Sequence, residues 1–275
     1  MIPTMRAMSE RRIPAVLSIA GSDSGGGAGI QADLKAFAAA GVHGMTAVTA
    51  LTAQNTVGVD AIHPVPPEMI IAQVHAVAAD IGVDAIKIGM LGDEATIAAV
   101  CTALDEVGAA VPVVLDPVMG SESGATLLDP GARSSLIDDL LPRVLVATPN
   151  PAEARELSGL GPAASQADLA AAGRALGPGA VIVTGGHSAE GVDLLDDGSG
   201  EPLMIDGPVH ADGAAHGSGC THSSTLAAYL ARGADLRVAA VAARRVAARA
   251  VASGLEDLGS GPGPVDVFGL ESIAG

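Results

Sequence analysis

Short apolar runs recur along the chain, each closing on glycine and polar residues, with longer Ala-rich amphipathic stretches between them. The first run, Ala15–Ala20, is rich enough in β-formers to be a buried strand. It ends in Gly21-Ser22-Asp23-Ser24, followed by the glycine-rich turn Gly25 to Gly29. A helix is predicted from about Ile30 to Ala40, stopped by Gly41. A strand over Met45–Leu51 runs into Thr52-Ala53-Gln54-Asn55-Thr56, and Pro66 and Pro67 then open a helix through Ala79. Strands over Asp84–Ile88, Val111–Leu115, Val144–Ala147 and Val181–Val183 alternate with helices over Asp93–Val107, Pro130–Leu141, Pro151–Leu157 and Ser165–Leu176. Val192–Leu195 and Leu203–Ile205, separated by Asp-Gly-rich turns, read as a hairpin, and helices over Thr221–Leu230 and Leu236–Ala252 close the chain.

Strands alternating with helices imply an α/β architecture, with a mainly parallel sheet covered on both faces. No repeat, linker or compositional break divides it, so residues 14–275 are expected to form one domain, preceded by a flexible extension over 1–13. Ligands of such sheets bind beyond the carboxyl ends of the strands. Asp23, Gln54, Asp116, Asn150 and Thr184 all stand at or just past a predicted strand end.

Composition narrows the class. Apolar residues make up 49% of the chain and aromatics 1%, so the core must be built from Ala, Val, Leu and Ile. A net charge of -17 argues against nucleic-acid and anionic-membrane partners and favours a cytoplasmic protein. No uninterrupted apolar run is long enough to span a bilayer. The two cysteines, Cys101 and Cys220, do not make a disulfide framework, and Cys101 falls in an apolar helical pattern as core packing.

The densest chemistry lies in His216-Gly217-Ser218-Gly219-Cys220-Thr221-His222. Glycines at 217 and 219 permit a tight turn whose amides sit at the positive end of the next helix, a place for phosphate or for charge developing on one in transfer. Cys220 shares that end, where a thiolate is stabilised. The Gly25–Gly29 turn lacks the acidic residue a dinucleotide fingerprint needs at the next strand's end, and no glycine turn is followed by a P-loop lysine. Asp33 either faces the same cleft or complements its helix dipole.

Asp116, after Val113–Leu115, is placed to hold Mg²⁺ or to cap its own turn. Asn150 and Glu153 have capping-box spacing and also stand where an Mg²⁺–phosphate site would use them. Lys87, inside an apolar strand, must snorkel or pair with an acid near the cleft. Thr184-Gly185-Gly186-His187 offers backbone amides to phosphates after a buried strand, while His187, His216 and His222 show no metal-site spacing with Cys220.

Taken together, Ala20-Gly21-Ser22-Asp23 with Gly25 through Lys35, Thr49 through Thr56, Lys87-Ile88-Gly89-Met90-Leu91, Leu115 through Met119, Thr148 through Glu153, Gly185-Gly186-His187 and His216 through Thr221 form an ordered set. This set resembles the hydroxymethylpyrimidine/phosphomethylpyrimidine kinases of thiamine biosynthesis, over nearly the whole chain. The resemblance implies a ribokinase-like three-layer α/β/α sandwich, usually a homodimer. It implies transfer of the ATP γ-phosphoryl to 4-amino-5-hydroxymethyl-2-methylpyrimidine and then to its monophosphate. Carried over by position, Asp33 and Gln54 would hydrogen-bond the aminopyrimidine in a pocket lined by Gly21, Met90 and Val118. Asp116 and Glu153 would serve Mg²⁺ and phosphates, with Asn150, Thr184 and Gly186 on the nucleotide. Gly217, Ser218, Gly219 and Cys220 would form the anion hole, Cys220 standing where other ribokinase-like enzymes have an aspartate base. Thr184 replaces a lysine frequent in the family, and Ala215 stands where a threonine often precedes the histidine. The alternatives are a pyridoxal kinase or sugar kinase of the same fold, and a non-catalytic ligand-binding relative.

Overall fold

The computed structural model describes residues 13–121, 124–185, 191–210 and 214–270. Strand β1 (Ala15–Ala20) leads through helix α1 (Gly29–Ala39) to β2 (His43–Val48), and the chain then leaves the main sheet. β3 (Ala50–Gln54) pairs antiparallel with β4 (Val59–Pro64) as a separate two-stranded sheet. The continuous strand predicted through Leu51 is therefore broken at Thr49, whose hydroxyl donates to Met90 O at 2.7 Å. β4 carries no sequence signal of its own, because its residues are exposed and none must be apolar.

Helix α2 (Pro67–Asp80), β5 (Ala85–Ile88), α3 (Glu94–Val107) and β6 (Val113–Leu115) restore the alternation. The single helix predicted over Pro130–Leu141 is instead a short α4 (Ala132–Ser135), a π turn (Leu136–Leu140) and a 3-10 turn (Leu141–Arg143). Pro142, lacking an amide hydrogen, cannot extend the α pattern. Then come β7 (Val146–Ala147), α5 (Pro151–Ser158), α6 (Gln166–Ala175), β8 (Ala180–Val183), β9 (Asp193–Asp196), β10 (Leu203–Ile205), α7 (Ser218–Ala231) and α8 (Leu236–Ala252).

The main sheet has eight strands in the order β10-β9-β8-β7-β6-β5-β1-β2. It is parallel from β2 to β8, with β9 antiparallel to β8 and β10 antiparallel to β9 as the predicted hairpin. Alternate strand residues serve opposite layers. Leu17, Ile86, Ile88 and Leu115 pack with Ile70 and Val74 of α2 and Ile97 and Val100 of α3, and Cys101 is buried among them. Val16, Ala85, Val114 and Ile182 meet Phe37 of α1, Leu226 of α7 and Ala239 of α8. Each fully buried Ile or Leu contributes about 1.5–3 kcal/mol, so the sheet is a stiff floor for what stands at its carboxyl edge. Among the described residues no helix is long and apolar enough to cross a membrane. The sequence-predicted extension lies outside the described residues except for residue 13.

Candidate active site

A cavity of about 640 Å³ opens at the carboxyl edge of the parallel strands. Its wall includes Gly21 after β1, Gln54 at the end of β3, Met90 after β5, and Asp116 and Val118 after β6. Asn150 and Glu153 at the start of α5, Thr184 after β8, and Gly217, Ser218, Gly219 and Cys220 at the start of α7 complete it. A Cβ at Gly21 would lie 2.9 Å from the Met90 sulfur, so the bare backbone there leaves room for the Met90 side chain.

Gly217 caps α7 in the left-handed region, with φ +84°. The amides of Gly219 and Cys220 belong to the first turn, where N–H groups have no partner within the helix. They share the cavity wall with the Cys220 sulfur. The position predicted for a stabilised thiolate is occupied by a thiol: burial pushes Cys220 up to about 12, Asp116 and Asp33 add to the rise, and the pull of Lys87 does not offset them. Burial first, and then two nearby carboxylates, outweigh the helix end.

Two carboxylates also stand on the wall. Burial raises Asp116 despite Lys87, and Ser223 Oγ donates to its Oδ2 at 3.2 Å. Burial, then the charge of Asp116, lifts Glu153 to about 8. Glu153 Oε2 accepts from Asn150 N at 2.9 Å while Asn150 Oδ1 accepts from Ala152 and Glu153 amides, a complete capping box. Capping and cavity lining are thus the same residues performing both roles.

Asp33 is displaced from its expected place. It is fully buried on α1 behind the cavity wall and does not line the cavity. Oδ1 accepts from Lys87 Nζ at 2.9 Å and Ser224 Oγ at 2.7 Å, and Oδ2 accepts from Ser18 Oγ at 2.6 Å. Buried and bonded to Ser18, Lys87 and Ser224, Asp33 does not reach the cavity surface, whereas Gln54 does lie on it. Lys87 resolves the choice left by the sequence: it pairs, and its charged form is reinforced by Asp33 against the cost of burial. Gly186 and His187 lie outside the described residues.

Several further lining residues had no role assigned to them from the sequence. His216 Nε2 lies 3.0 Å from Asp23 Oδ2, joining the α7 turn to the glycine-rich turn after β1. Burial pushes Asp23 up, but His216 and the amides of Ala28 and Gly25 hold it below its ordinary range. Farther along, Asp193, His222 and Arg244 cluster on the wall. Asp193 Oδ1 accepts from Gly185 N at 2.8 Å, fixing the turn that holds Thr184, while His222 Nε2 lies 3.0 Å from Asp193 Oδ2. The signal for Asp23 and His216 was their position in two glycine turns; for Arg244, inside an Ala-rich helix, there was none.

Known proteins resemble this chain over most of its length. The profile of the family described as phosphomethylpyrimidine kinase matches residues 23–266. A hydroxymethylpyrimidine/phosphomethylpyrimidine kinase of Rhizobium meliloti (strain 1021) is 46% identical over 259 residues, covering 92% of this chain and 96% of the relative. Among solved structures, an ADP complex of Bacillus subtilis pyridoxal kinase superposes with a TM-score of 0.84 at 35% identity, covering 92% of this chain and 97% of that one. A phosphomethylpyrimidine kinase from Clostridium difficile 630 superposes with a TM-score of 0.73 at 39% identity, covering 84% and 96%.

Proposed function

The chain belongs to the phosphomethylpyrimidine kinase family, and from that premise we propose that it phosphorylates 4-amino-5-hydroxymethyl-2-methylpyrimidine with ATP, and then the monophosphate, in thiamine biosynthesis. The observation that carries this is the convergence, in one cavity, of a flat-ring side and a phosphate side. Gln54, Met90 and Val118 supply the first; the α7 amides, Asp116, Glu153, Asn150 and Thr184 supply the second. Cys220 lines the same cavity.

In the first step the hydroxymethyl oxygen bonds to the γ-phosphorus, the bond to the β–γ bridging oxygen breaks, and ADP leaves with that electron pair. The alcohol proton departs on an oxygen of the transferred group. Such transfer asks chiefly for positioning and charge stabilisation. The turn Gly217-Ser218-Gly219 presents the amides of Gly219 and Cys220 to the moving charge, Cys220 orients the hydroxyl as a thiol, and Gln54 reads the ring. In the second step the acceptor is a phosphate oxygen.

Asp116 and Glu153 fit Mg²⁺: both are hard oxygen donors, each raised by burial and, for Glu153, by the other's charge. Among the described residues no cluster of three or more His, Cys, Asp or Glu forms, so phosphate oxygens and water would complete the coordination. When bound, the ion supplies positive charge against the phosphates.

The likeness to pyridoxal kinases supports a second substrate, since both rings bear a hydroxymethyl group. Gln54 and the higher identity to the pyrimidine kinases favour the aminopyrimidine. A coupled ADP assay tests this: kcat/KM should be higher for the hydroxymethylpyrimidine than for pyridoxal, and the reverse ranking refutes the substrate assignment. We further propose a cytoplasmic homodimer, supported by the charge of -17 and by Leu51, Val57 and Ile62, exposed on and beside the two-stranded β3–β4 sheet. Light scattering showing a monomer at micromolar concentration refutes the dimer.

A further inference from the structure

Behind the wall between the ring side and the phosphate side lies a buried charge network. Lys87 sits on β5, in the centre of the sheet, fully buried, in register with Ser18 of β1 and Val114 of β6. Its ammonium is 2.9 Å from Asp33 Oδ1 and 3.7 Å from Asp116 Oδ2. Asp33 is held from three elements at once: β1 through Ser18, β5 through Lys87 and α7 through Ser224. A Cβ on Gly89 would lie 2.8 Å from Lys87 Nζ, so the backbone is bare where the ammonium folds toward the carboxyl end of its strand. That direction leads to Asp116 and the start of α7, and Lys87 itself forms part of the cavity wall.

A buried ion pair is weak evidence for stability, because a neutral pair of similar shape is often as stable. A pair serving packing alone has no use for a second carboxylate on the cavity side. The arrangement has a polarity: Asp33 is the hydrogen-bonded anchor at the back, and Asp116 is the longer contact at the front. We propose that Lys87 is a positioning residue for phosphoryl transfer and Asp33 its anchor, the ammonium holding the Asp116 carboxylate in place and offsetting negative charge as phosphates enter. This rests on the kinase function proposed above. It gives Asp33 a task in turnover rather than in substrate binding.

The test uses Asp33→Asn, Lys87→Met and the double variant. Each is measured for melting temperature, for binding of the pyrimidine alcohol by calorimetry, and for kcat and KM. The double variant leaves neither member of the pair charged. It should melt within a few degrees of wild type and bind the alcohol within about threefold, with kcat at least about 100-fold lower, the scale of losing one preorganised electrostatic contact. Its kcat should be no lower than that of Lys87→Met alone, since the two residues act as a unit. Wild-type kcat in a folded double variant overturns the proposal. So does an Asp33→Asn variant that loses alcohol binding by more than about 30-fold with kcat retained, since Asp33 would then touch the substrate. A double variant that does not fold also overturns it, making the pair structural. Should the wild type accept pyridoxal but not the pyrimidine alcohol, the substrate assignment fails separately, and the same variants assayed on pyridoxal still test Lys87.

Discussion

Gly217→Ala probes the corner where the two glycine turns interlock. A Cβ at position 217 would lie 1.8 Å from Gly27 O and 2.9 Å from its carbonyl carbon, at a φ of +84°. The left-handed conformation costs a non-glycine residue about 1–2 kcal/mol, and forced overpacking adds about 1–3 kcal/mol. Relief requires the Gly25–Gly29 turn to retreat by about 1 Å or more, but that turn is tied down. Asp23 accepts from the amides of Gly25, Gly27 and Ala28 and lies 3.0 Å from His216 on the opposing turn. The expected destabilisation of about 2–5 kcal/mol lowers the melting temperature by about 5–15 °C in a chain of this size. Displacing the α7 amides by 1 Å should lower kcat by about 100-fold. Gly219→Ala is the control for stability: its Cβ meets nothing within 4 Å, and a helical Gly→Ala change is stabilising by about 0.5–1 kcal/mol. Melting curves by circular dichroism and a coupled ADP assay report both quantities. A Gly217→Ala enzyme with wild-type melting and turnover within threefold refutes the interlock.

Glu153 gives a pH signature in the ligand-free protein. Folded, it keeps its proton to about pH 8, whereas the unfolded chain loses it near 4.5. The unfolded state thus binds fewer protons in that window, so the Glu153 contribution to stability is full below about pH 4.5 and is lost as pH rises through about 8, by about 1.4 kcal/mol per unit at most. Glu153→Gln should flatten the slope of melting temperature against pH, and an unchanged slope contradicts the assignment. Cys220→Ala should lower kcat by about 100-fold or more while calorimetry shows nucleotide and alcohol binding within a few-fold; full turnover removes Cys220 from the chemistry. Asp193→Asn weakens the acceptor for Gly185 N, so KM for ATP should rise about tenfold with KM for the alcohol unchanged, and equal rises in both would place Asp193 elsewhere.

The central strands were legible because burial on both faces demands unbroken apolar runs: Ala15–Ala20 falls where the pattern puts it, as does the strand ending at Ile88. β4 was not, since an exposed strand paired only with β3 leaves its side chains free of that demand. Twelve of the thirteen candidate residues among the described residues do line one cavity, because strand ends and helix starts in a parallel sheet share one edge. Asp33 shows the limit. An aspartate in the first turns of a helix has the same local pattern whether it faces solvent, ligand or an internal lysine. The clue lay 54 residues away in Lys87, a charge in an apolar strand that had to find a carboxylate. Cys220 shows another limit, since the field of a helix end is readable from sequence but its burial, and the carboxylates brought near it from α1 and the end of β6, are not.

The most direct test is a crystal structure of the protein with the hydroxymethylpyrimidine and a non-hydrolysable ATP analogue. The ring should lie against Gln54, Met90 and Val118, with its hydroxymethyl oxygen in hydrogen-bond reach of Cys220 Sγ and the γ-phosphate on the amides of Gly219 and Cys220. A ring bound outside this cavity, or a γ-phosphate distant from the start of α7, contradicts the account.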